Sequence, residues 1–264
     1  MPLDTASVLV ISGKSCYSFY VRYSIISDIH ANLAALRAVL DDIERRGGVD
    51  KFWCLGDIVG YGPDPQECIK LLRQTNHTCV AGNHDWAAIG KLDTAEFNPD
   101  AATACRWTAQ QLSPDDITYL GNLPLAIEEA DFTLVHGSPR DPIWEYLTSA
   151  DIARENLALL KSQFCLVGHS HVPLIFSFNA SGKPSSSRFL IDTRLVLGKN
   201  RLIINPGSVG QPRDGHPQAS YALYDSATNL VRLCRIPYDI RATQTRMVKY
   251  GLPRNLVTRL NYGV

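Results

Sequence analysis

The stretch Phe164-Cys165-Leu166-Val167-Gly168-His169-Ser170-His171 decides the fold of this chain and indicates where its polar site lies. Four apolar residues have the length of a short buried strand, and two histidines at positions i and i+2 follow them. Both imidazoles can turn towards one point only if the backbone bends after the strand, and Gly168 allows such a bend. The segment therefore predicts a buried strand that ends in a pair of ligand-type side chains.

The same order of an apolar strand and then polar side chains occurs four more times upstream. The polar clusters are Asp28-Ile29-His30, Gly56-Asp57, Gly82-Asn83-His84-Asp85 and His136-Gly137. Together with the segment that ends in His169 and His171, these clusters contain five of the seven histidines of the chain. Because ligand sites form at the carboxyl ends of the parallel strands in open α/β sheets, we expect these side chains to converge.

Helices alternate with the first strands. Asn32 is expected to cap a helix that stops at Gly47-Gly48, and Asp64, followed by a proline, is expected to cap the next one. This alternation predicts a βαβαβ unit with a parallel sheet. After His171 the pattern changes to strands and turns, with one turn at 179–182, which predicts a second, mostly antiparallel sheet. The whole is expected to be an α/β fold, a two-sheet α/β/β/α sandwich with its polar site at the carboxyl ends of strands.

Further elements follow from periodicity and turn signals. One helix is expected at 101–111, and a second is expected to start at a capping box that begins at Ser113. A third is expected at 149–161 with Ser149 as its cap. The strands expected in the second half are 173–178, 188–191, 202–204, 221–224 and 231–236.

The domain organisation is expected to be simple. Residues 1–20 are interpreted as an N-terminal extension outside the fold, because the apolar run at 8–11 is too short for the core of a signal peptide. Residues 21–264 are expected to form a single domain with a helical insertion at about 86–124. The sequence leaves open whether this insertion shapes a substrate pocket or only connects two strands.

Composition excludes several classes of partner. The 264 residues are 45% hydrophobic, which favours one α/β domain, and the formal net charge of zero gives no electrostatic case for a nucleic-acid or acidic-membrane partner. No apolar run approaches the roughly 18 residues of a membrane span. Seven cysteines without a C-x-x-C pair favour a reducing compartment, so we expect a cytoplasmic protein.

The polar clusters contain the side chains that metals bind. Asp28 and His30 can reach one ion from a single loop, and Asp57, alone on its loop, is suited to bridging two ions because a carboxylate has two oxygens. The other candidate ligands are Asn83, His136, His169 and His171. This inventory exceeds the four ligands of a tetrahedral zinc site and fits two ions roughly 3.5–4 Å apart, as in two-metal hydrolases.

The five clusters, in this order over residues 23–171, resemble the signature blocks of the calcineurin-like metallophosphoesterase superfamily. Residues 60–63, 97–99 and 205–213 resemble its small prokaryotic-type phosphodiesterase branch. The resemblance implies a sandwich of the metallophosphoesterase type. It also implies that Asp28, His30, Asp57 and His171 hold a first metal and that Asp57, Asn83, His136 and His169 hold a second.

The same resemblance implies roles in catalysis. A hydroxide that bridges the ions would attack phosphorus. His84 would donate a proton to the leaving alkoxide or a hydrogen bond to the phosphoryl oxygens, and Asn83 would also contact the substrate. Asp85 either orients the His84 imidazole through its other nitrogen or only caps a loop.

One departure from the superfamily concerns the phosphate clamp. The phosphoprotein phosphatase branch has Asp-Arg after the second block, and its arginine clamps phosphate, whereas this chain has Gly60-Tyr61. This argues against a serine/threonine phosphatase of that type. Arg213, which follows a glycine-rich turn, is either a substitute clamp or a surface arginine.

The function expected from these residues is metal-dependent hydrolysis of phosphodiester or phosphomonoester bonds in a small substrate, with nucleotides among the candidates. Two divalent ions are expected; manganese is favoured, and iron, nickel, cobalt and zinc also accept oxygen and nitrogen ligands. The alternatives are a phosphatase for phosphomonoesters or phosphoproteins and a non-catalytic metal-binding scaffold, which would be expected to lack ligands or His84. The neutral charge weighs against long nucleic acids, and the oligomeric state stays open.

Overall fold

Two six-stranded sheets pack face to face, and helices cover their outer sides. The computed structural model describes residues 20–178, 183–191 and 193–264. The predicted turn at 179–182 and all but residue 20 of the predicted extension lie outside these residues. The predicted two-sheet α/β/β/α sandwich is confirmed.

Most strands and helices follow one another along the chain as predicted, but the structure adds one strand in each half and two helices after the last predicted strand. The strands are β1 (Arg22–Ile26), β2 (Lys51–Cys54), β3 (His77–Cys79), β4 (Ala126–Glu129), β5 (Phe132–Val135), β6 (Phe164–Leu166), β7 (Leu174–Phe178), β8 (Pro184–Arg188), β9 (Arg194–Val196), β10 (Arg201–Asn205), β11 (Ala219–Asp225) and β12 (Leu230–Ile236). The helices are α1 (Leu33–Arg45), α2 (Pro65–Arg73), α3 (Asn83–Ala88), α4 (Pro99–Gln111), α5 (Pro114–Gly121), α6 (Ala150–Leu157), α7 (Ile240–Lys249) and α8 (Arg254–Arg259), with a short 3-10 helix at Thr94–Glu96.

The strands are shared between the sheets differently from the prediction. The first sheet has the order β3-β2-β1-β11-β12-β9, and the second has the order β4-β5-β6-β10-β7-β8. The second sheet has three antiparallel and two parallel pairs, so it is mostly antiparallel as predicted, but the second half does not build it alone, because β11 pairs antiparallel with β1 while β5 and β6 lie parallel to each other in the second sheet. Local patterns predict that a strand exists, whereas its partner depends on long-range packing.

The core between the sheets explains why the strands before the polar clusters are apolar. Trp53 of β2 is fully buried there, with its ring 4.9 Å from that of Phe132 on β5. A second cluster lies between the first sheet and α1 and α2, and a third lies between the second sheet and α6. The carboxyl ends of β1, β2, β5 and β6 thus meet at one edge of the sandwich.

Most of the predicted helix caps make the expected hydrogen bonds, and one does not. Asn32 accepts a hydrogen bond from the Ala35 amide, and Ser113 forms the predicted capping box with Asp116. Asp64 occupies the cap position of α2 but makes no cap hydrogen bond, because its carboxylate pairs with Arg246 of α7 instead.

Three expectations about element bounds are wrong. The strand expected at 188–191 lies earlier, at β8, the helix expected to reach residue 161 ends at Leu157, and β4 was not expected at all. β4 is half exposed, and Ile127 is the one strong β-former among its four residues, so its sequence resembles a loop. No helix among the described residues is long and apolar enough to cross a membrane.

Candidate metal centre

The seven expected ligands converge at the edge where the two sheets meet. Asp28 and His30 follow β1, Asp57 follows β2, and His136 follows β5. His169 and His171 follow β6, while Asn83 begins α3. All seven side chains are buried. They form two groups that share Asp57, namely Asp28, His30, Asp57 and His171, and Asp57, His136 and His169 with Asn83 beside them.

The first group is compact. The Nε2 atoms of His30 and His171 are 3.0 Å apart. His171 Nε2 lies 3.3 Å from Asp28 Oδ1, and His30 Nε2 lies 3.5 Å from Asp57 Oδ2. The four side chains thus point their potential metal-binding atoms at one small volume.

The second group has the same character. His136 Nε2 lies 3.1 Å from His169 Nδ1, 3.2 Å from the amide oxygen of Asn83 and 3.5 Å from Asp57 Oδ2. The Asp57 Oδ2 atom is therefore equally distant from His30 and His136. A carboxylate in that position can serve both groups, as its isolated place in the sequence predicts.

Backbone carbonyls fix the tautomer of every histidine in these groups. The outer nitrogen of each ring lies 2.6–3.2 Å from a carbonyl oxygen, in the pairs His30 with Val59, His136 with Leu55, His169 with Trp144 and His171 with Gln211. Because a carbonyl only accepts, each outer nitrogen must carry the proton and donate it. The inner nitrogens then present lone pairs to one another and to carboxylates, an arrangement that a cation between them would stabilise.

The electrostatics lead to the same conclusion. Burial raises the pKa of Asp28 to about 7, and burial together with the Asp85 carboxylate raises the pKa of Asp57 well above its usual range. Burial lowers the pKa of His30, and it does the same for His171. Both Asp28 oxygens and Asp57 Oδ2 have no hydrogen-bond donor among the described residues. The donor set, with neutral imidazoles and unpaired carboxylates, fits divalent cations.

The backbone of these loops is strained. Five ligand residues have φ between 49° and 62°, namely Asp28, His30, Asp57, His169 and His171. The left-handed region costs an L-residue roughly 1–2 kcal/mol, and such strain clusters at functional sites. Inter-loop hydrogen bonds hold it, for example from the amide of Asp28 to the Gly56 carbonyl at 3.0 Å.

Gly168 serves a different purpose from the one its sequence suggests. The bend after β6 is made by the left-handed His169 and His171, and Gly168 itself does not have positive φ. A Cβ atom at 168 would lie 2.1 Å from Ser27 Oγ. Glycine is therefore needed so that the loop can approach the loop after β1.

His84 lines the cavity, but Asp85 does not orient it. The His84 ring packs between Tyr61 and Phe97, with centroids 4.3 and 4.7 Å away. Asp85 accepts hydrogen bonds from the amides of Gly82 at 3.0 Å and Val59 at 3.1 Å, and no hydrogen bond joins it to the imidazole within the described chain. The expectation that Asp85 orients His84 is wrong, and the loop-capping alternative describes its contacts.

Arg213 lies at the cavity and not on an open turn. It is half-buried, and its Nη2 donates to the Tyr61 hydroxyl at 3.3 Å and to Gln211 Oε1 at 3.0 Å. Tyr61, which replaces the arginine of the phosphoprotein phosphatase branch in the sequence, thus holds an arginine that comes from the other end of the chain.

Several residues of the site were not predicted. Asn205, which sequence assigns only to a turn, donates to the Gly168 carbonyl at 2.7 Å and to Ser170 Oγ at 3.0 Å, so it ties down the loop of His169 and His171. Tyr61 and Phe97 lie in stretches that resemble the phosphodiesterase branch, whereas Trp144 and Tyr146 lie in no predicted motif, and only the fold brings the four rings together.

A cavity of about 350 Å³ opens beside the second group. Its polar lining consists of Asp57, Asn83, His84, Glu96, Asn98, His169, His171 and Arg213. Its aromatic lining consists of Tyr61, Phe97, Trp144 and Tyr146. The insertion between β3 and β4 supplies Phe97, so it forms one wall of this cavity.

Comparisons with known proteins agree with this geometry. The calcineurin-like phosphoesterase superfamily domain matches residues 21–229. A solved metallophosphoesterase from Sphaerobacter thermophilus is 47% identical, with a TM-score of 0.85 over 93% of this chain and 100% of that one. An uncharacterized protein of Methanocaldococcus jannaschii is 39% identical over 91% of this chain and 97% of its own length. The symmetrical bis(5'-nucleosyl)-tetraphosphatase of Erwinia tasmaniensis is 30% identical over 152 residues, and the match spans about half of each protein, 52% in both cases.

Proposed function

Because this chain belongs to the calcineurin-like phosphoesterase superfamily, we propose that it is a phosphoesterase that uses two divalent metal ions to hydrolyse small phosphodiesters. The superfamily is the one that the five polar clusters predict. The observation that carries the proposal is the set of inward lone pairs on histidines whose outer nitrogens are fixed by carbonyls. A protein without ions between these atoms would bury acceptors against acceptors.

The proposed ligand sets follow the two groups. Asp28, His30, Asp57 and His171 would hold one ion, and Asp57, Asn83, His136 and His169 would hold the other. When bound, such ions supply a reactive water near neutral pH and neutralise charge on the phosphoryl group. The mixed oxygen and nitrogen donors suit manganese, which we propose as the first metal to test.

The remaining cavity residues act on the substrate. Arg213 would bind the non-bridging phosphoryl oxygens, held in place by its contacts with Tyr61 and Gln211. Hydrolysis forms a bond from water oxygen to phosphorus and breaks the bond to the leaving oxygen, which must gain a proton. His84, whose ring lines the cavity, would donate to that oxygen or to the phosphoryl group.

The charge of the cavity's own side chains, apart from the two proposed ions, favours a diester. Among the described residues that line it, Arg213 is the one lysine or arginine. A diester carries one negative charge at neutral pH, whereas a phosphomonoester carries about −1.5 to −2. The scaffold alternative is disfavoured because every expected ligand and His84 are present and in position.

The test compares bis(p-nitrophenyl) phosphate with p-nitrophenyl phosphate, with manganese and with a chelator as control. We expect chelator-sensitive hydrolysis that is faster for the diester. A preference for the monoester would favour the phosphatase alternative. Failure to hydrolyse either ester, with metal shown to be bound, would contradict the proposal and favour the scaffold.

A further inference from the structure

The cavity has an aromatic side that hydrolysis of a phosphate ester does not require. We call Phe97, Trp144 and Tyr146 the aromatic wall. Phe97 comes from the segment before α4, and the other two come from the loop between β5 and α6. All three line the same cavity as the metal ligands and Arg213.

The rings of the wall are arranged in contact with the centre. Tyr146 stacks on His169, with centroids 3.9 Å apart and planes at 23°, and it remains 45% exposed. Phe97 meets Trp144 edge to face at 5.3 Å, and its other neighbour is His84 at 4.7 Å. The wall therefore continues directly from the residues that would surround the phosphoryl group.

The loop that carries two of these rings is fixed by polar contacts. Asp141 accepts from the Trp144 amide at 3.1 Å, and the Trp144 carbonyl accepts from His169. Asn156 of α6 donates to Glu145 at 2.7 Å. The wall is thus a preformed surface, which is what a binding site for a planar group requires.

The cavity is larger than one phosphoryl group needs. Its volume of about 350 Å³ lies within the range of about 300–1,000 Å³ that small-molecule sites have. A phosphate contacts the polar side alone and would leave the rings uncovered. Aromatic side chains favour flat partners, because every nucleobase has a π-face that stacks on them.

We propose that the aromatic wall binds the nucleobase of the substrate, so that the enzyme acts on diesters of a nucleoside monophosphate. This rests on the proposed function. One base and one phosphate are expected because Arg213 is the single lysine or arginine of the described lining and Glu96 lies at the same cavity. Beyond the two proposed ions and Arg213, a chain of further phosphates would find no lysine or arginine on the described lining and would approach that carboxylate.

The first test measures binding without catalysis. In the chelated full-length protein, adenosine 5'-monophosphate is compared with ribose 5-phosphate, which lacks only the base, by calorimetry. We expect the base to tighten binding by about tenfold or more and Trp144→Ala or Phe97→Ala to remove most of that gain. Trp144→Phe keeps a flat ring and should retain it. Tyr20→Ala is the matched control, since Tyr20 is an exposed aromatic that precedes β1, at the opposite end of that strand from the site.

The second test uses the manganese-loaded enzyme and two methyl esters, of adenosine 5'-monophosphate and of ribose 5-phosphate. We expect the ratio of their kcat/KM values to fall in both alanine variants and to stay unchanged in Tyr20→Ala. Equal binding and equal kcat/KM for the two members of each pair would overturn the base site while leaving the phosphoesterase proposal intact. If the alanine variants lost kcat/KM by the same factor on both esters, that result would also overturn the base site. Failure of the wild type on every ester would instead reject the proposed function.

Discussion

Two buried polar regions of this protein differ in how their charges are paired. In the metal centre, Asp57 Oδ2 has no donor among the described residues and faces histidine nitrogens from two sides. In the second region, which we call the Asp42 network, Asp42 Oδ2 accepts from the Tyr221 hydroxyl at 2.6 Å and from Arg46 at 2.8 Å. Burial of a carboxylate does not by itself mark a functional site, whereas buried carboxylate oxygens that have no donor and face histidine nitrogens need a physical explanation, which a bound cation supplies.

The pKa values of the two regions shift in opposite directions. Burial raises the pKa of Asp28 to about 7. Burial acts in the same direction on Asp42, but hydrogen bonds from Tyr221 and Arg46 outweigh it and lower the pKa of that carboxyl. The Asp42 network therefore pairs its carboxylate with the protein's own groups, whereas the candidate metal centre leaves carboxylate oxygens that a bound cation would pair. Substitutions should separate the two.

The largest effect is expected for Asp57→Asn. An amide in place of the shared carboxylate should lower the occupancy of both metal positions and reduce turnover by orders of magnitude. The metal-free variant should be at least as stable as the metal-free wild type, because it loses a buried carboxylate whose Oδ2 has no donor, while the His84 amide, which donates to Oδ1 at 2.9 Å, can still bond the side-chain oxygen that remains. Turnover, metal content by mass spectrometry and denaturant unfolding test this. Normal occupancy of both positions would show that Asp57 is not shared.

The next effect is expected for His84→Ala. We predict that metal content is retained and that turnover falls roughly 10²–10⁴-fold, the usual contribution of a general acid. His84 has no place in either ligand group, so a loss of metal in this variant would remove the distinction between binding and catalysis that the geometry draws. Unchanged turnover would exclude His84 from the reaction.

The sequence predicted which polar side chains lie together better than it predicted their surroundings, because most of the expected ligands closely follow an apolar strand. Asp28 and His171 are recognisable from their own neighbours, and the edge of a sheet brings such positions together. Phe97 and Trp144 are far apart in sequence, and neither follows a strand. Whether Asp85 faces an imidazole or two backbone amides depends on the path of the loop after β2, which local sequence does not specify.

Metal binding should raise the free energy of unfolding by an amount that does not depend on the Asp42 network. At a free manganese concentration of 100 times the dissociation constant of a position, we expect about 2.7 kcal/mol of added stability in the wild type for each position that manganese occupies. The gain should be nearly the same in Tyr221→Phe, because the Asp42 network shares no residue with the ligand groups. Denaturant unfolding with and without manganese measures both values. A clearly smaller gain in Tyr221→Phe would mean that the two regions are coupled.

The smallest effect is expected for Tyr221→Phe itself. Loss of a hydrogen bond to a charged group should lower the free energy of unfolding by about 1.5 kcal/mol near neutral pH. Because the pKa of Asp42 is lower in the folded protein than in the unfolded chain, this contribution is complete above the unfolded value of about 3.9 and is lost as the pH falls from there through the folded value.

The difference in the free energy of unfolding between Tyr221→Phe and the wild type should therefore become smaller as the pH falls. Tyr224→Phe is the matched control, since the Tyr224 hydroxyl donates to the uncharged amide of Asn229 at 3.2 Å and its loss should depend little on pH. Denaturant unfolding at a series of pH values measures both differences. If the two variants behave alike as the pH falls, the Asp42 carboxylate is not stabilised by its donors, and the contrast with the unpaired carboxylates of the metal centre would rest on geometry alone.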